Sequence, residues 1–281
     1  MPKPEWLRVR FSETPNREIV EQTLRRLNLN TVCREANCPN YSECFSRKTA
    51  TFMILGTNCT RRCRFCNVHN GQPQHPDPEE PKNIALAVKE LELKYVVITS
   101  VTRDDLPDGG AGHFSKTISE IRQTAPGVAI ETLIPDFMGN IRSIETVAKA
   151  SPTVISHNME TIKSLYSKVR PKTEYNRSLK VLQSIKLLNR RVHSKSGIML
   201  GFGETKEQVY ELFEDLLNVG CEFLTIGQYL APSKKHFPVQ EYVEPSRFDE
   251  YRALAKAMGF DFVASAPLVR SSYNAGEALG L

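Results

Sequence analysis

Six of the seven cysteines in this chain lie between residues 33 and 66, in two triplets. The first is Cys33, Cys38 and Cys44; the second is Cys59, Cys63 and Cys66. Between them, Thr51-Phe52-Met53-Ile54-Leu55-Gly56 is an apolar run closed by a glycine, and it reads as a short strand delivering the second triplet at its C-terminal end. Three chemistries compete for such a block. Disulfide frameworks belong to small secreted domains, whereas this chain opens with Met1-Pro2-Lys3-Pro4 and no apolar signal segment. Structural zinc wants a closed tetrahedron, usually from two close pairs, and each triplet lacks an obvious fourth ligand beside it. Iron–sulfur clusters suit cysteine-only ligands at close spacing, and three thiolates on a four-iron cluster leave one iron for something else. The missing ligand is the functional clue.

The second triplet, Cys59-Thr60-Arg61-Arg62-Cys63-Arg64-Phe65-Cys66, resembles the Cys-x3-Cys-x2-Cys signature of the radical S-adenosylmethionine (SAM) enzymes, including the aromatic residue before the last cysteine. The first triplet resembles the Cys-x4-Cys-x5-Cys motif of the lipoyl synthases, and Arg270-Ser271-Ser272-Tyr273 resembles the C-terminal signature of that family. The likeness runs from about Cys33 to Tyr273.

The resemblance implies two [4Fe-4S] clusters and SAM. Cys59, Cys63 and Cys66 would hold the cluster that cleaves SAM. Cys33, Cys38 and Cys44, with Ser272 on the remaining iron, would hold the sulfur source. The implied reaction places two sulfur atoms at C6 and C8 of an octanoyl chain amide-linked to a lysine of a lipoyl carrier domain, with one SAM consumed per insertion. The implied partners are octanoylated 2-oxoacid dehydrogenase E2 subunits and glycine cleavage H protein, an electron donor such as flavodoxin or ferredoxin, and an iron–sulfur carrier protein. A methylthiotransferase or a biotin-synthase-like enzyme would share Cys59 to Cys66, but not the first triplet or the Arg-Ser-Ser-Tyr segment. A non-enzymatic metal-binding module is the more distant alternative.

Composition agrees with one large core: 40% of residues are hydrophobic and 25% charged. Basic residues outnumber acidic ones 37 to 32, a net charge of +5 spread along the chain rather than gathered into a stripe. This gives no argument for nucleic acid; it suits an acidic protein partner or an ordinary solvated surface. No run approaches a membrane span. Thiols ready for iron imply a reducing compartment, hence the cytosol.

In chain order, Ser12-Glu13-Thr14-Pro15 predicts a cap for a helix from Asn16 to Leu27, with Val20, Leu24 and Leu27 on one face. Asn37, Pro39 and Asn40 favour turns, which predicts a wrapped loop for the first triplet. From Thr51 onward strand and helix patterns alternate, with strands at Tyr95–Ser100, Val128–Leu133, Thr153–Ser156, His193–Leu200 and Phe223–Ile226 after the first one. Helices are expected near Asn83–Leu93, Phe114–Thr124, Ile141–Ala150, Ser178–Leu188, Lys206–Val219 and Pro245–Met258. Six strand–helix units predict an α/β fold, a partial (β/α)6 TIM-like barrel, with a doubly wound sheet as runner-up. The expected organisation is an N-terminal extension over residues 1–50, a barrel over 51–265 and a C-terminal tail over 266–281.

Functional groups gather at the C-terminal ends of parallel strands. That rule selects Gly56 with its cysteines, Thr99-Ser100, Glu131-Thr132, His157-Asn158, Gly201-Phe202-Gly203 and Gln228-Tyr229. By the resemblance, Phe65 packs near the adenine, and Asn158 and Glu160 contact the ribose or the methionyl group. Thr99 is a further SAM candidate. Asn158 also fits a helix cap, and Thr99 to Asp105 a turn stabilised by Asp104 and Asp105. Gly197, Gly201 and Gly203 match neither phosphate-loop pattern and read as points of close backbone approach to SAM. Asp108 to Gly112 reads as a flexible loop, His69, His75, His113, His193 and His236 as non-ligands, and Cys221 as a small buried hydrophobe.

Overall fold

A computed structural model describes residues 2–9 and 14–281. Thr14 starts helix α1 (Pro15–Arg26): its Oγ1 accepts the Arg17 amide at 3.3 Å, and Pro15 occupies the first turn, where a missing N–H costs nothing. Val20 and Leu24 are buried along this helix, and Leu27 just beyond it. Ser12 and Glu13, the rest of the expected capping stretch, lie outside the described residues.

The first triplet departs from the wrapped loop. Cys33 lies in the short helix α2 (Val32–Glu35) and Cys44 in α3 (Tyr41–Ser46), with Cys38 on the turn between them. The turn residues act, but as punctuation. Asn37 takes a left-handed φ of 50° that ends α2, the Cys38 amide reaches back to the Cys33 carbonyl at 3.1 Å, and Asn40 precedes α3.

Strand and helix then alternate: β1 (Thr51–Ile54), α4 (Glu80–Glu90), β2 (Tyr95–Ser100), α5 (Ala111–Thr124), β3 (Ala129–Leu133), α6 (Ile141–Lys149) and β4 (Val154–Ser156). There follow α7 (Tyr166–Val169), α8 (Tyr175–Leu188), β5 (His193–Leu200), α9 (Lys206–Asn218), β6 (Phe223–Gln228), α10 (Pro245–Met258) and β7 (Phe262–Ser265). Local chemistry sets several boundaries. Thr205 and Gln208 satisfy each other's amides in a capping box that opens α9. Asp108 accepts the Gly110 and Gly112 amides, each at 2.8 Å, so the expected flexible loop is an ordered entry to α5.

Among the described residues the seven strands are all parallel, in the spatial order β1 to β7. A doubly wound sheet reverses its order at a switch point; this one never does, so it is a partial barrel with β1 and β7 at its edges. The sequence predicts six strands. The seventh, Phe262-Val263-Ala264-Ser265, is short and followed by the tail instead of another helix, so it lacks the strand–helix rhythm that marks the others.

Alternation assigns the two sheet faces. Phe52, Ile98, Ile130, Ile155 and Leu224 are at most 1% exposed and pack under the helices, where each large side chain contributes roughly 1.5–3 kcal/mol. The opposite face carries Thr99, Glu131, Lys195, Gly197, Thr225 and Gly227. Lys195 Nζ meets Glu131 Oε2 at 2.8 Å and Tyr95 Oη donates to the same oxygen at 2.6 Å. That contact leaps over β4, which only a concave side allows, so this face lines the barrel interior. The interior mixes these polar and small residues with the apolar Met53, Val97, Leu133, Val154 and Phe223 on the same face.

The chain after β7 lies across β6. The Gln228 amide donates to the Pro267 carbonyl at 3.0 Å, and a Cβ on Gly227 would stand 2.0 Å from the Val269 carbonyl oxygen, so only glycine admits the tail here. Farther along, Asn40 Nδ2 donates to the Leu268 carbonyl at 2.7 Å and Tyr273 Oη to Glu43 Oε1 at 2.9 Å. N-terminal and C-terminal segments thus close one another over the barrel. Among the described residues no helix is long and apolar enough to cross a membrane.

Candidate active site

The second triplet leaves β1 through Leu55 and Gly56, both at positive φ (68° and 88°). A left-handed leucine costs of order 1–3 kcal/mol and persists only where its surroundings impose it. Here Glu80 accepts the Leu55 amide at 2.8 Å, and Arg103 donates to the Leu55 carbonyl at 3.2 Å. Three barrel-top loops then hold the motif. The Thr60 amide reaches the Thr102 carbonyl (3.1 Å), the Arg64 amide reaches that of Val169 (2.9 Å), and the Phe237 amide reaches that of Arg64 (2.7 Å). His236 Nε2 donates to the Cys66 carbonyl at 3.1 Å while Nδ1 accepts from Ser233, so both ring nitrogens of His236 are engaged in supporting the motif.

Arg61, between the first two cysteines of the motif, is the buried anchor. It pairs with Asp104 through two nitrogens at 2.8 Å and with Asp136 at 2.6 Å, and Arg177 grips the other oxygen of Asp136 at 2.8 Å. Burial alone would raise the pKa of Asp136, but the hydrogen bonds and charges of Arg61 and Arg177 hold it well below the usual carboxylate range. The expected turn around Asp104 and Asp105 exists, but Asp104 faces Arg61, and Asp105 faces Arg103 at 2.8 Å.

Asn158 follows β4, and no helix starts there; its Nδ2 donates to Glu160 Oε1 at 3.1 Å, and its Oδ1 is buried with no protein partner. Gly197 makes room for this side chain: a Cβ there would stand 2.9 Å from Asn158 Oδ1 and 2.7 Å from Thr225 Oγ1. Gly201 similarly makes room for Gln228 and the Glu241 carbonyl. Burial pushes the Glu160 carboxyl up, opposed by Arg170, Asn158 and Arg270. Phe65 packs against Val169, Phe202 and Tyr229, and Thr99 donates to the Leu133 carbonyl at 3.1 Å on the inner face.

Beneath Asn158 runs a directed hydrogen-bond chain. Arg170 donates to Tyr166 Oη (2.6 Å), Tyr166 to Ser178 Oγ (2.6 Å), and Ser178 to His157 Nε2 (2.9 Å), while His157 Nδ1 donates to the Ile134 carbonyl (2.9 Å). Each donor fits only if the imidazole is neutral. Burial and the nearby Arg170 push its pKa down to about 4. The unfolded chain takes up this proton near pH 6.5 and the folded one does not. Stability is therefore expected to fall as the pH drops from about 6.5 toward 4, by up to roughly 3 kcal/mol, and to be level above that window. Chemical denaturation at pH 7.5 and 5 tests this, with His157→Gln expected to flatten the difference.

The first triplet lines a cavity of about 480 Å³ together with Arg270, Ser272 and Tyr273; Ser271 is not among its walls. Burial pushes the Cys33 thiol up to about 11 and Cys44 up to about 12, the latter helped by repulsion from Cys33 and Cys38. In the second triplet burial takes Cys66 to about 12, with Cys63 and Cys59 adding to it, and raises Cys63. Each set is thus three free cysteines, and burial favours the protonated thiol at Cys33, Cys38, Cys44, Cys63 and Cys66 until iron displaces the proton. Among the described residues no three His, Cys, Asp or Glu side chains close around a single metal ion. Thiolates on a four-iron cluster each take a different corner and need not meet at a point. The donor sets fit such clusters, and the partnerless Asn158 oxygen above the inner face fits a polar ligand beside the second.

Sequence reasoning missed Arg61, Asp136, Glu80, Arg103, Arg170 and Arg270. Only Arg61 and Arg270 carried a signal, being inside the motifs themselves.

The model of the radical SAM superfamily matches residues 53–216. Among solved structures, methylornithine synthase (PylB) resembles 94% of this chain over 82% of its own, with a TM-score of 0.55 and 13% identity. Streptococcus suis SuiB bound to its precursor peptide resembles 80% of this chain over 52% of its own, with a TM-score of 0.60 and 12% identity. These likenesses speak for the fold. Lipoyl synthase of Alkaliphilus metalliredigens is 54% identical over 99% of this chain and 96% of its own. That of Caldanaerobacter subterraneus is 56% identical over 99% and 98%. Both triplets and the tail that meets the first of them fall within these alignments, and the chain belongs to the lipoyl synthase family of the radical SAM superfamily.

Proposed function

We propose that the chain performs the sulfur insertion of its family with the labour divided between its two triplets. The family's reaction uses SAM and two [4Fe-4S] clusters, and its substrate is an octanoylated carrier protein. When bound, one cluster supplies the electron that splits SAM into methionine and a 5′-deoxyadenosyl radical, and the other supplies the two sulfur atoms for C6 and C8 of the octanoyl chain. Cys59, Cys63 and Cys66 hold the first, on a loop that Arg61, Glu80 and Arg103 fix at the barrel top. Asn158 and Glu160 receive the polar end of SAM, Phe65 stands against its adenine, and Thr99 borders it on the inner face. The barrel interior, walled by the buried Glu131, Lys195 and Thr225, shields a carbon radical from bulk water. Cys33, Cys38, Cys44 and Ser272 hold the second cluster, so residues 1–50 and 266–281 form one auxiliary unit set against the barrel of 51–265.

The observation that carries this division is the cavity where Ser272 meets three cysteines more than 200 residues away in sequence. A serine oxygen is a harder donor than a thiolate, and so a ligand able to leave an iron lost during sulfur donation. Ser272→Ala is expected to change the Mössbauer spectrum of the auxiliary cluster and lower lipoyl formation at least about tenfold, as for loss of a metal ligand or its support. Ser271→Ala is expected to behave as the unaltered protein. Full activity with an unchanged spectrum in Ser272→Ala would remove Ser272 from the ligand set.

The finer partners are E2 subunits and H protein as carriers, flavodoxin or ferredoxin as reductant and an iron–sulfur carrier protein for rebuilding. The cytosol is the compartment that keeps these thiols reduced.

A further inference from the structure

Three loops that hold the second triplet are free of acidic residues over long stretches: residues 57–76, 161–173 and 230–240. They carry Arg62 and Arg64, Lys168 and Lys172, and Lys234 and Lys235, all exposed. In sequence these cations are scattered. In the fold they meet, because the Arg64 amide is bonded to Val169, the Phe237 amide to Arg64, and His236 to Cys66. Among the described residues none of the six forms an ion pair, although Arg64 lies over the Phe237 ring at 5.2 Å. Several carboxylates near the motif are already engaged, Asp104 and Asp136 by Arg61, Glu174 by Arg177 and Glu160 by Asn158, while Glu35, whose carbonyl accepts from Asn67, is the acidic residue beside Cys66. Six unpaired cations stand around Cys63 and Cys66 in a chain whose whole net charge is +5, so the rest of the surface is close to neutral.

We propose that this collar is the dock for an acidic one-electron donor protein, seated over Cys63 and Cys66. The inference rests on the assignment of Cys59, Cys63 and Cys66 to the SAM-cleaving cluster. The electron must enter there, and the collar surrounds that place rather than the cavity of Cys33, Cys38 and Cys44. In the transfer, an anionic flavin hydroquinone gives up one electron and becomes the neutral semiquinone; the cluster gains that electron, and no proton moves. Unpaired like charges at a rim raise encounter rates and lose their effect in salt.

The test uses the reconstituted holoenzyme, SAM and reduced flavodoxin, without octanoyl substrate. Lys168→Glu/Lys234→Glu/Lys235→Glu is compared with Lys89→Glu/Lys180→Glu/Lys256→Glu, which alters net charge equally on the exposed sides of α4, α8 and α10. The collar variant should bind oxidised flavodoxin more weakly in calorimetry and be reduced by the hydroquinone on the order of 10–100 times more slowly at low salt, with the difference shrinking as salt rises. The control variant should change by less than about threefold, and dithionite should reduce all three proteins alike. A milder Lys234→Gln/Lys235→Gln pair should show a smaller loss in the same direction. Equal slowing of both triple variants overturns the dock, as does an unchanged flavodoxin rate with weakened binding of an octanoylated carrier domain, which would make the collar a substrate surface. A site that dithionite itself fails to reduce overturns the underlying cluster assignment instead.

Discussion

Cys38→Ala is expected to uncouple two activities that the intact protein performs together. The variant should still form 5′-deoxyadenosine from SAM, because Cys59, Cys63 and Cys66 lie on a loop held by Glu80, Arg103 and Arg61 through bonds in which Cys38 takes no part. It should yield no thiolated octanoyl-lysyl peptide, because the first triplet then offers two thiols. Cys63→Ala should do the opposite and abolish SAM cleavage, a loss on the order of a thousandfold or more, as is usual when one member of a unit acting together is removed. An anaerobic assay with mass spectrometry of nucleoside and peptide measures both products. Unimpaired sulfur insertion by Cys38→Ala would end the proposal that the first triplet holds the sulfur source. Replacing a cysteine in either set should also lower iron per chain to the share of the other.

Asp136→Ala carries the second large effect. Its carboxylate is completely buried and serves two guanidinium groups, Arg61 with a side chain 3% exposed and Arg177 14% exposed. Removing one partner of a buried ionic group costs roughly 3–5 kcal/mol, since the charges left behind remain desolvated. Arg61 keeps Asp104, which is one-quarter exposed, so the deficit falls on the loop between Cys59 and Cys63. The cluster-free protein should melt lower, and the reconstituted one should lose the SAM-dependent change in the electron paramagnetic resonance of its second-triplet cluster. Asp136→Asn should fall between, keeping one acceptor while losing the charge and setting an amide donor against the other guanidinium. A melt within about 0.5 kcal/mol of the unaltered protein, the range of ordinary surface changes, would show the network to be incidental. Because Asp136 is depressed below its unfolded value, its contribution is present above about pH 4 and fades only in stronger acid.

The barrel was legible because parallel strands covered on both sides are written as plain apolar runs such as Tyr95-Val96-Val97-Ile98, and because helices between them keep their own period. β7 was not, for Phe262–Ser265 has neither the length nor a following helix. The cysteines announced themselves by type and spacing. Their supports did not: the pairing of Arg61 with Asp136 joins residues 75 apart, and the left-handed Leu55 is imposed by Glu80 at the start of α4 and by Arg103 in the loop after β2. Asn158 was legible as a strand-end residue, but its choice between capping a helix and facing the barrel interior depended on Gly197 and Thr225 in two later strands. The meeting of basic loops in space was not legible either. The cations looked dispersed because loop neighbours in space are separated by up to 170 residues in sequence, as Cys66 and His236 are.

The union of Asn40 with Leu268 and of Glu43 with Tyr273 spans 228 and 230 residues, so the auxiliary cavity has its walls at opposite ends of the chain. Contacts of such separation form late, after the intervening elements have closed most of the distance. During synthesis the second triplet can acquire its surroundings once β6 and its loop have emerged. The cavity of Cys33, Cys38 and Cys44 has no far wall until residues through Tyr273 have left the ribosome. The folding chain therefore passes through a stage in which the surroundings of the second triplet are complete while the first triplet lies in a half-built cleft. On the proposed assignment, the thiols of Cys33, Cys38 and Cys44 are the ones that wait for the far end of the chain to fold back before their cavity closes, and they stay open to oxidation for longest.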